Sequence, residues 1–158
     1  MGMPRAFVGF SSTDLHYYQL MCAWKEHEHI DFNFTDCQLA NEINSESENY
    51  IKFKCRSRIQ MASKYVMLIG EDTRYKHKYV RWEAEVAIEK GCIIIGVNLN
   101  RLTGFDEDRC PPVIRDIGAV FVPFSPKIIA HAIDDWVMRP KGNWFYKPEV
   151  YRQLGYNI

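Results

Sequence analysis

The chain has 158 residues, of which 47% are hydrophobic and 14% aromatic. This length fits one domain with its own core, and the composition excludes a disordered chain. Twenty basic and twenty acidic side chains give zero formal net charge, which argues against a dedicated nucleic-acid-binding protein, because such proteins usually carry a basic excess.

Membrane, secreted and metal-binding classes are also disfavoured. No stretch approaches the roughly 18 consecutive apolar residues of a membrane span, and the first residues lack the apolar region of a secretory signal. The five cysteines are odd in number and form no CxxC pair, which is typical of reduced thiols. His27 and His29 lie two apart on a predicted helix and so do not share a face. We expect a cytoplasmic protein without a metal or a bound cofactor.

The predicted elements alternate between strands and helices along the chain. Strands are predicted at residues 5–10, 31–35, 64–69, 92–97 and 119–122, the last being the final one. Helices are predicted from Leu15 to about His29, from Ser45 to about Ala62, between Lys78 and Gly91, and from Lys127 to Met138. The runs at 64–69 and 92–97 are almost continuously apolar, as in strands buried on both faces. The alternation predicts an α/β domain with about five mostly parallel strands.

One domain over residues 1–158 accounts for the whole pattern, with its core at about 5–138. The remaining segment, 139–158, is too aromatic for a free tail. We expect this extension to pack on the domain or on a partner.

Glu83 is the first candidate for chemistry. At about 100° per residue, Val80, Ala84 and Ala87 form the apolar stripe of its helix and Glu83 lies at the border. In an open α/β sheet the first turn of a crossover helix lies near the carboxyl ends of the strands, where ligand sites collect. A solvated glutamate at a helix start is the alternative that spacing alone leaves open.

Two neighbours of Glu83 also merit attention. Arg81 flanks the apolar stripe on its other side, where it can pair with a substrate phosphate or with a nearby acid. Trp82 falls almost opposite the stripe, so it needs a second surface to cover it, either the aromatic tail or a partner.

The loop Phe10-Ser11-Ser12-Thr13-Asp14 follows the first strand and precedes a helix. Backbone N–H groups at such a position suit a phosphate or a ribose, but the glycine motifs of dinucleotide and P-loop sites are missing, and helix capping alone explains the serine and the aspartate. Cys37, beside Asp36 in the next predicted loop, has no histidine partner that the sequence can identify as its base.

These segments together resemble the TIR domain, in its bacterial TIR-like branch. Arg-Ala-Phe-Val-Gly-Phe-Ser-Ser-Thr-Asp is similar to the first strand and loop, and Asp-Phe-Asn-Phe-Thr-Asp-Cys to the second strand with its flexible loop. Tyr-Val-Met-Leu-Ile-Gly-Glu-Asp-Thr followed by Tyr-Val-Arg-Trp-Glu is the most specific part, although Tyr79 stands where tryptophan is usual. The resemblance covers about residues 5–138 and is closest to the TIR subunit of the Thoeris anti-phage system.

The resemblance implies a flavodoxin-like fold, with helices on both faces of the sheet, and an enzyme that cleaves the glycosidic bond of NAD, its substrate. It makes Glu83 the catalytic residue, places Phe10 and Ser11 beside nicotinamide and ribose, and puts Asp36 and Cys37 in the loop that closes over the site. A cyclic ADP-ribose isomer would then act as a diffusible signal to a separate effector, with self-association and a phage-derived trigger as further expectations.

Two other interpretations are weighed against this one. A TIR-like module without turnover, acting by self-association or nucleotide sensing, would use Trp82 and the aromatic tail as contact surfaces. A flavodoxin-like phosphoacceptor domain would need clustered acids at the strand ends and a late lysine, and the sequence does not show that set.

Overall fold

The computed structural model describes residues 6–27, 34–35, 53, 56–57, 59–60, 62–75 and 79–158. Within these ranges the chain forms one six-stranded sheet of order β2-β1-β3-β4-β5-β6, and every neighbouring pair is parallel. The strands are β1 (Ala6–Gly9), β2 (Phe34–Thr35), β3 (Lys64–Ile69), β4 (Ile93–Asn98), β5 (Val120–Pro123) and β6 (Trp144–Phe145). This is the flavodoxin-like α/β architecture that the sequence predicts, with one strand more than the five expected.

Four α-helices connect or follow these strands: α1 (Leu15–His27), α2 (Tyr79–Lys90), α3 (Pro126–Asp135) and α4 (Pro148–Gln153). From β1 the chain moves outward to β2 and then returns past β1 to β3. Because parallel crossovers are right-handed, this reversal puts α1 and α2 on opposite faces of the sheet. The point between β1 and β3 is the topological switch, where open α/β sheets form their crevice.

The two central strands confirm the prediction drawn from continuous apolar runs. Strand β3 has the predicted bounds and all six of its residues are buried, whereas β4 begins and ends one residue later than predicted. Burial on both faces removes the alternation that marks a half-exposed strand.

Helix α2 ends at the predicted glycine. Gly91 has a φ of 87°, its N–H bonds to the Ile88 carbonyl at 3.0 Å, and the Cys92 N–H bonds to the Ala87 carbonyl at 2.9 Å. This pair of bonds is the Schellman ending, which favours glycine because other residues resist positive φ.

Helix α3 is shorter than predicted, because it ends at Asp135 rather than Met138. Trp136 leaves the helix with a ψ of 134° and is only 5% exposed. Its indole N–H bonds to the Gly118 carbonyl at 3.2 Å. The contact that stops the helix therefore comes from a residue 18 positions earlier.

Strand β5 is not the last strand, contrary to the prediction at residues 119–122. Val120 pairs with Trp144 and Phe121 with Phe145, which adds β6 at that edge of the sheet. Tyr151 of α4 is 4% exposed, and the Tyr156 hydroxyl lies 2.6 Å from Ser125 Oγ. The aromatic tail thus contacts its own domain.

Other predicted boundaries differ by small amounts or fall partly outside the described residues. Helix α1 is described as far as His27, and residues 28–29 of its predicted range lie outside the described residues; of the predicted strand at 31–35 the structure describes Phe34–Thr35. In the predicted helix at 45–62, Ile59 and Ala62 are buried as expected, whereas Ile51 and Cys55 lie outside the described residues. Among the helices described, none has the length and apolar character that crossing a membrane requires.

Candidate active site at the carboxyl edge of the sheet

Glu83 follows the first turn of α2, one turn further into the helix than predicted, and is 3% exposed. Its neighbours on the same face, Val80 and Ala84, are buried as well. The interpretation of Glu83 as a solvated surface glutamate is therefore wrong. Removing a carboxylate from water costs several kcal/mol, roughly, unless other groups compensate, so a buried glutamate among apolar neighbours is unusual enough to mark a site.

The loop after β1 is held tightly beside the switch point. Ser11 is 2% exposed, and its carbonyl accepts the Asp14 N–H at 2.8 Å, which closes the short turn at Ser12–Asp14. The half-buried Phe10 ring stacks on Tyr18, with centroids 4.9 Å apart and planes at 18°. Both predicted loop residues are thus fixed by packing from α1 and by the turn.

A hydrogen-bonded chain joins this loop to the one after β3. Ser11 Oγ lies 3.0 Å from Thr13 Oγ1. The Thr13 hydroxyl donates to both carboxylate oxygens of Asp72, at 3.0 Å and 2.9 Å. The two loops that flank the switch point are therefore tied by side chains 59 positions apart.

Asp14 is buried beside that chain of hydroxyls. One of its carboxylate oxygens has no hydrogen-bond partner among the described residues, and a Cβ at Gly70 would stand 2.8 Å from the other. Burial raises the pKa of Asp14 above its ordinary value, with a smaller contribution from the Asp72 carboxylate, while His16 and the Thr73 hydroxyl act in the opposite direction.

Thr13, Asp14 and Asp72 line a cavity of about 410 Å³ at the carboxyl ends of β1, β3 and β4, and its lining includes neither Ser11 nor Glu83. Its position is the one expected for a ligand site in an open α/β sheet. Glu71, at its rim, pairs with Arg109 at 3.6 Å. The lining residues are Thr13, Asp14, His16, Tyr17, Gly70, Glu71, Asp72, Leu99, Asn100 and Arg109.

Arg81 is not brought to the face that carries Glu83. Two residues apart on a helix, the two side chains point about 200° apart. The exposed Arg81 pairs with Glu85, its Nε lying 2.8 Å from Glu85 Oε1. It borders a second cavity of about 350 Å³, lined also by Thr73, Arg74, Val80, Pro111, Pro112 and Val113. Of the two alternatives left open by the sequence, the structure shows the ion pair.

Asp36, Cys37 and Trp82 are the predicted residues that remain to be placed. Asp36 and Cys37 lie outside the described residues, so the structure gives no geometry for them. Trp82 is half-buried and packs against the hydrophobic core, so its own domain shields part of the indole from water. Within the described ranges, no three His, Cys, Asp or Glu side chains are grouped so as to hold a metal ion.

The site residues predicted from the sequence do not include Thr13, Asp14 or Asp72. Their positions in the sequence could have identified them, because Thr13 and Asp14 follow β1 and Asp72 follows β3. Polar residues directly after adjacent parallel strands meet at one edge of the sheet. From the sequence alone, helix capping explains Asp14, and no local pattern points to Asp72.

Comparison with known families gives one match. A family model described as "Thoeris protein ThsB, TIR-like domain" matches residues 7–103, which is more than half of the chain. The matched range begins in β1 and ends after β4, so it contains Phe10, Ser11, the switch point and Glu83. No curated protein matches the chain.

Proposed function

The chain belongs to the Thoeris ThsB TIR-like family, and from that premise we propose that this defence-related TIR module cleaves the nicotinamide–ribose bond of NAD. The observation that carries the proposal is the burial of Glu83 at the start of α2, with only 3% of its surface exposed. A carboxylate held out of water near the carboxyl edge of the sheet suits a reaction that develops positive charge.

Cleavage of a ribosyl–pyridinium bond develops positive charge on the ribose. As the C–N bond breaks, its electron pair leaves with nicotinamide, and the ribose becomes oxocarbenium-like, as sugars do in glycosidases. Glu83 would stabilise that charge and hold the ribose hydroxyls. Nicotinamide departs as a neutral molecule, so no general acid is required, and one glutamate with a shaped pocket suffices.

The burial of Glu83 beside apolar residues of its own helix supports this assignment. Val80, Ala84 and Ala87 on the same helix are buried, and charge–charge attraction grows as the effective dielectric constant falls. A carboxylate fixed there interacts more strongly with a transient cation than a solvated one would.

The product in this proposal is a cyclic ADP-ribose isomer. An adenine nitrogen of the same molecule attacks the ribosyl carbon in place of water, which requires a dry site and a folded substrate. Phe10 and Ser11 would lie on the nicotinamide and ribose side, and Asp36 and Cys37 in the closing loop. Arg81 remains a proposed phosphate contact, on condition that it leaves Glu85.

The wider role follows from the same premise. The product would diffuse to a separate effector protein, and a phage-derived trigger together with self-association would activate the enzyme in the cytoplasm. NAD enters this scheme as substrate and not as a bound cofactor.

The test compares wild-type protein with Glu83→Gln and Glu89→Gln. Glutamine keeps the volume of residue 83 but removes the charge, so we expect nicotinamide release to fall by at least about a hundredfold. Glu89 lies on the same helix, exposed and paired with Arg56 at 3.5 Å, and its glutamine variant should retain wild-type turnover. Chromatography with mass detection separates ADP-ribose from a product lighter by one water.

Wild-type rates in Glu83→Gln would overturn the catalytic assignment. No nicotinamide from concentrated wild-type protein, with or without lysate of phage-infected cells, would overturn the enzyme proposal. Plain ADP-ribose as the sole product would retain cleavage and reject cyclisation.

A non-catalytic module acting by self-association is the second candidate. The edge strand β6 favours it, because Phe145 is 57% and Trp144 38% exposed there, and exposed edge strands pair readily with other chains. This candidate predicts oligomers in light scattering together with no NAD cleavage under any of the conditions above.

A further inference from the structure

The second cavity, of about 350 Å³, lies between α2 and the turn at Pro112–Ile114. Thr73 and Arg74, which follow β3, line it as well, whereas Glu83 is not part of its lining. Its volume falls within the range of small-molecule sites. Most of its wall is apolar and comes from Val80, Pro111, Pro112 and Val113.

Arg74 gives this cavity a fixed positive charge. Its guanidinium donates hydrogen bonds to the Asp108 carbonyl and to the Tyr75 hydroxyl, and its Cζ lies 4.7 Å from the centroid of the Tyr75 ring. These partners are neutral, and no carboxylate within the described ranges forms an ion pair with Arg74. A guanidinium has more N–H donors than these two bonds use. Arg74 is therefore held in place while its charge and its other donors are left for a ligand.

Arg81 lines the same cavity from α2, together with Glu85. The two form an exposed ion pair one helical turn apart, with Arg81 Nε 2.8 Å from Glu85 Oε1. Exposed pairs of this kind contribute little to stability, so a phosphate can replace Glu85 as the partner of Arg81 at a small cost. The charged side chains of the lining are two cations and one anion, which leaves a positive surplus.

The first cavity, of about 410 Å³, has the opposite balance of charge. Its lining holds the carboxyl groups of Asp14, Glu71 and Asp72 against the basic side chains of His16 and Arg109, and Arg109 already pairs with Glu71. A surplus of one charge sign in a cleft repels ligands of the same sign and attracts those of the other. Of the two cavities, the second is therefore the one that suits a phosphate.

We propose that the second cavity binds a nucleoside phosphate, with the phosphate between Arg74 and Arg81 and the base against the apolar wall. Arginine suits this ligand because its planar fork donates two parallel hydrogen bonds to phosphate oxygens. The inference goes beyond NAD cleavage, because Glu83 takes no part in it and because Arg74 joins the single arginine that the proposed function uses. The phosphate belongs to NAD or to a separate nucleotide, and the experiment separates these two sources.

The experiment titrates the protein with adenosine monophosphate, adenosine and inorganic phosphate, by calorimetry at constant ionic strength. Adenosine monophosphate should bind at least about tenfold more tightly than either of the others, since adenosine lacks the charge-assisted hydrogen bonds and inorganic phosphate lacks the apolar contact. Arg74→Gln and Arg81→Gln should each weaken its binding by at least about tenfold. Glu85→Gln should strengthen it roughly twofold, because Arg81 then has no competing carboxylate. Damage to the fold would not produce that gain.

Two further arginine variants show whether the effect belongs to this cavity. Arg56→Gln is the matched control, because Arg56 also pairs with a glutamate of α2, Glu89 at 3.5 Å, but does not line the cavity. It should keep the wild-type affinity. Arg109→Gln probes the first cavity, and a loss of binding there in place of a loss in Arg74→Gln would overturn the assignment. Equal affinities for adenosine monophosphate and adenosine, or wild-type affinity in both Arg74→Gln and Arg81→Gln, would overturn it as well.

Competition with NAD identifies the source of the phosphate. The measurement uses Glu83→Gln, so that NAD is not consumed, and this variant should bind adenosine monophosphate as the wild-type protein does. Displacement by NAD would assign the site to the phosphates of the substrate, whereas binding that persists in saturating NAD would assign it to a separate nucleotide. Both results retain the phosphate site. Failure of this site is observed in the titration and failure of the proposed function in nicotinamide release, so the two are distinguishable.

Discussion

At the scale of one residue, the burial of Asp14 in the candidate site lowers the free energy of unfolding at neutral pH. Burial, and secondarily the Asp72 carboxylate, raises the pKa of Asp14 above its ordinary value of 3.8. The folded protein then binds more protons at this residue than the unfolded chain does. The free energy of unfolding therefore falls as pH rises from 3.8 through the folded-state pKa.

Asp14→Asn should accordingly stabilise the protein at pH 7. The amide is nearly isosteric and carries no charge to desolvate, so its advantage should disappear below pH 3.8, where Asp14 is neutral in both states. Urea unfolding at the two pH values measures the difference. Asp108→Asn, at an exposed position, is the control for removing a carboxylate that is not buried. An Asp14→Asn protein that is less stable than wild type at pH 7 would contradict this account.

Residue-scale chemistry was only partly predictable from the sequence. The helical period placed Glu83 at the border of an apolar stripe, but its burial depends on what packs above α2, which the period cannot show. The bond from Thr13 to Asp72 joins residues 59 positions apart, so it follows from strand order rather than from any local pattern.

Elements were predictable where local forces decide them. Strand β3 is predictable in full because six consecutive buried residues leave an almost continuous apolar run, and the end of α2 is predictable because a left-handed residue is needed at Gly91. Helix α3 was predicted too long, since the Gly118 carbonyl that binds the Trp136 indole is remote in sequence. Strand β6 has two residues and exists only through its pairing with β5.

The end of α2 gives a prediction at the scale of an element. Gly91 has φ +87° and no atom within 4 Å of where a Cβ would stand, so Gly91→Ala adds backbone strain without a clash. We expect the free energy of unfolding to fall by about 1–2 kcal/mol, measured by chemical denaturation, with NAD turnover per folded molecule unchanged. Gly104 also has open space but no positive φ, so Gly104→Ala should be neutral or slightly stabilising. Equal losses at both positions would refute the role of φ.

In the whole molecule, the candidate site lies at the switch point between β1 and β3, and the C-terminal tail lies at the β5–β6 edge of the sheet. The catalytic candidate, the β1 loop and the cavity belong to β1, β3, β4 and α2, all within the family match. The segment 139–158 lies at the other edge of the sheet, where β6 pairs with β5. The backbone of Arg139 passes close to Gly118: a Cβ at Gly118 would stand 3.1 Å from the Arg139 carbonyl carbon. The tail thus extends and packs the domain at an edge away from the candidate site.

The tail also completes a helix that it follows in sequence. Ser125, the N-cap of α3, makes no side-chain capping bond. The Ile128 N–H donates instead to the Tyr156 hydroxyl at 3.0 Å, and that hydroxyl also contacts Ser125 Oγ. An uncapped N–H in the first turn of a helix lowers stability, so the first turn of α3 depends on a residue 28 positions beyond Ile128.

Tyr156→Phe should therefore lower the free energy of unfolding by about 1 kcal/mol, as measured by urea denaturation. Ser125→Ala alone should cost less, because Tyr156 keeps the Ile128 bond. If the serine turns to cap the helix once the tyrosine hydroxyl is gone, the double variant will lose more than the sum of the two single variants. If Tyr156→Phe leaves the free energy of unfolding unchanged, both in the wild-type protein and in Ser125→Ala, the hydroxyl does not stabilise α3. The tail would then pack on the domain without capping that helix.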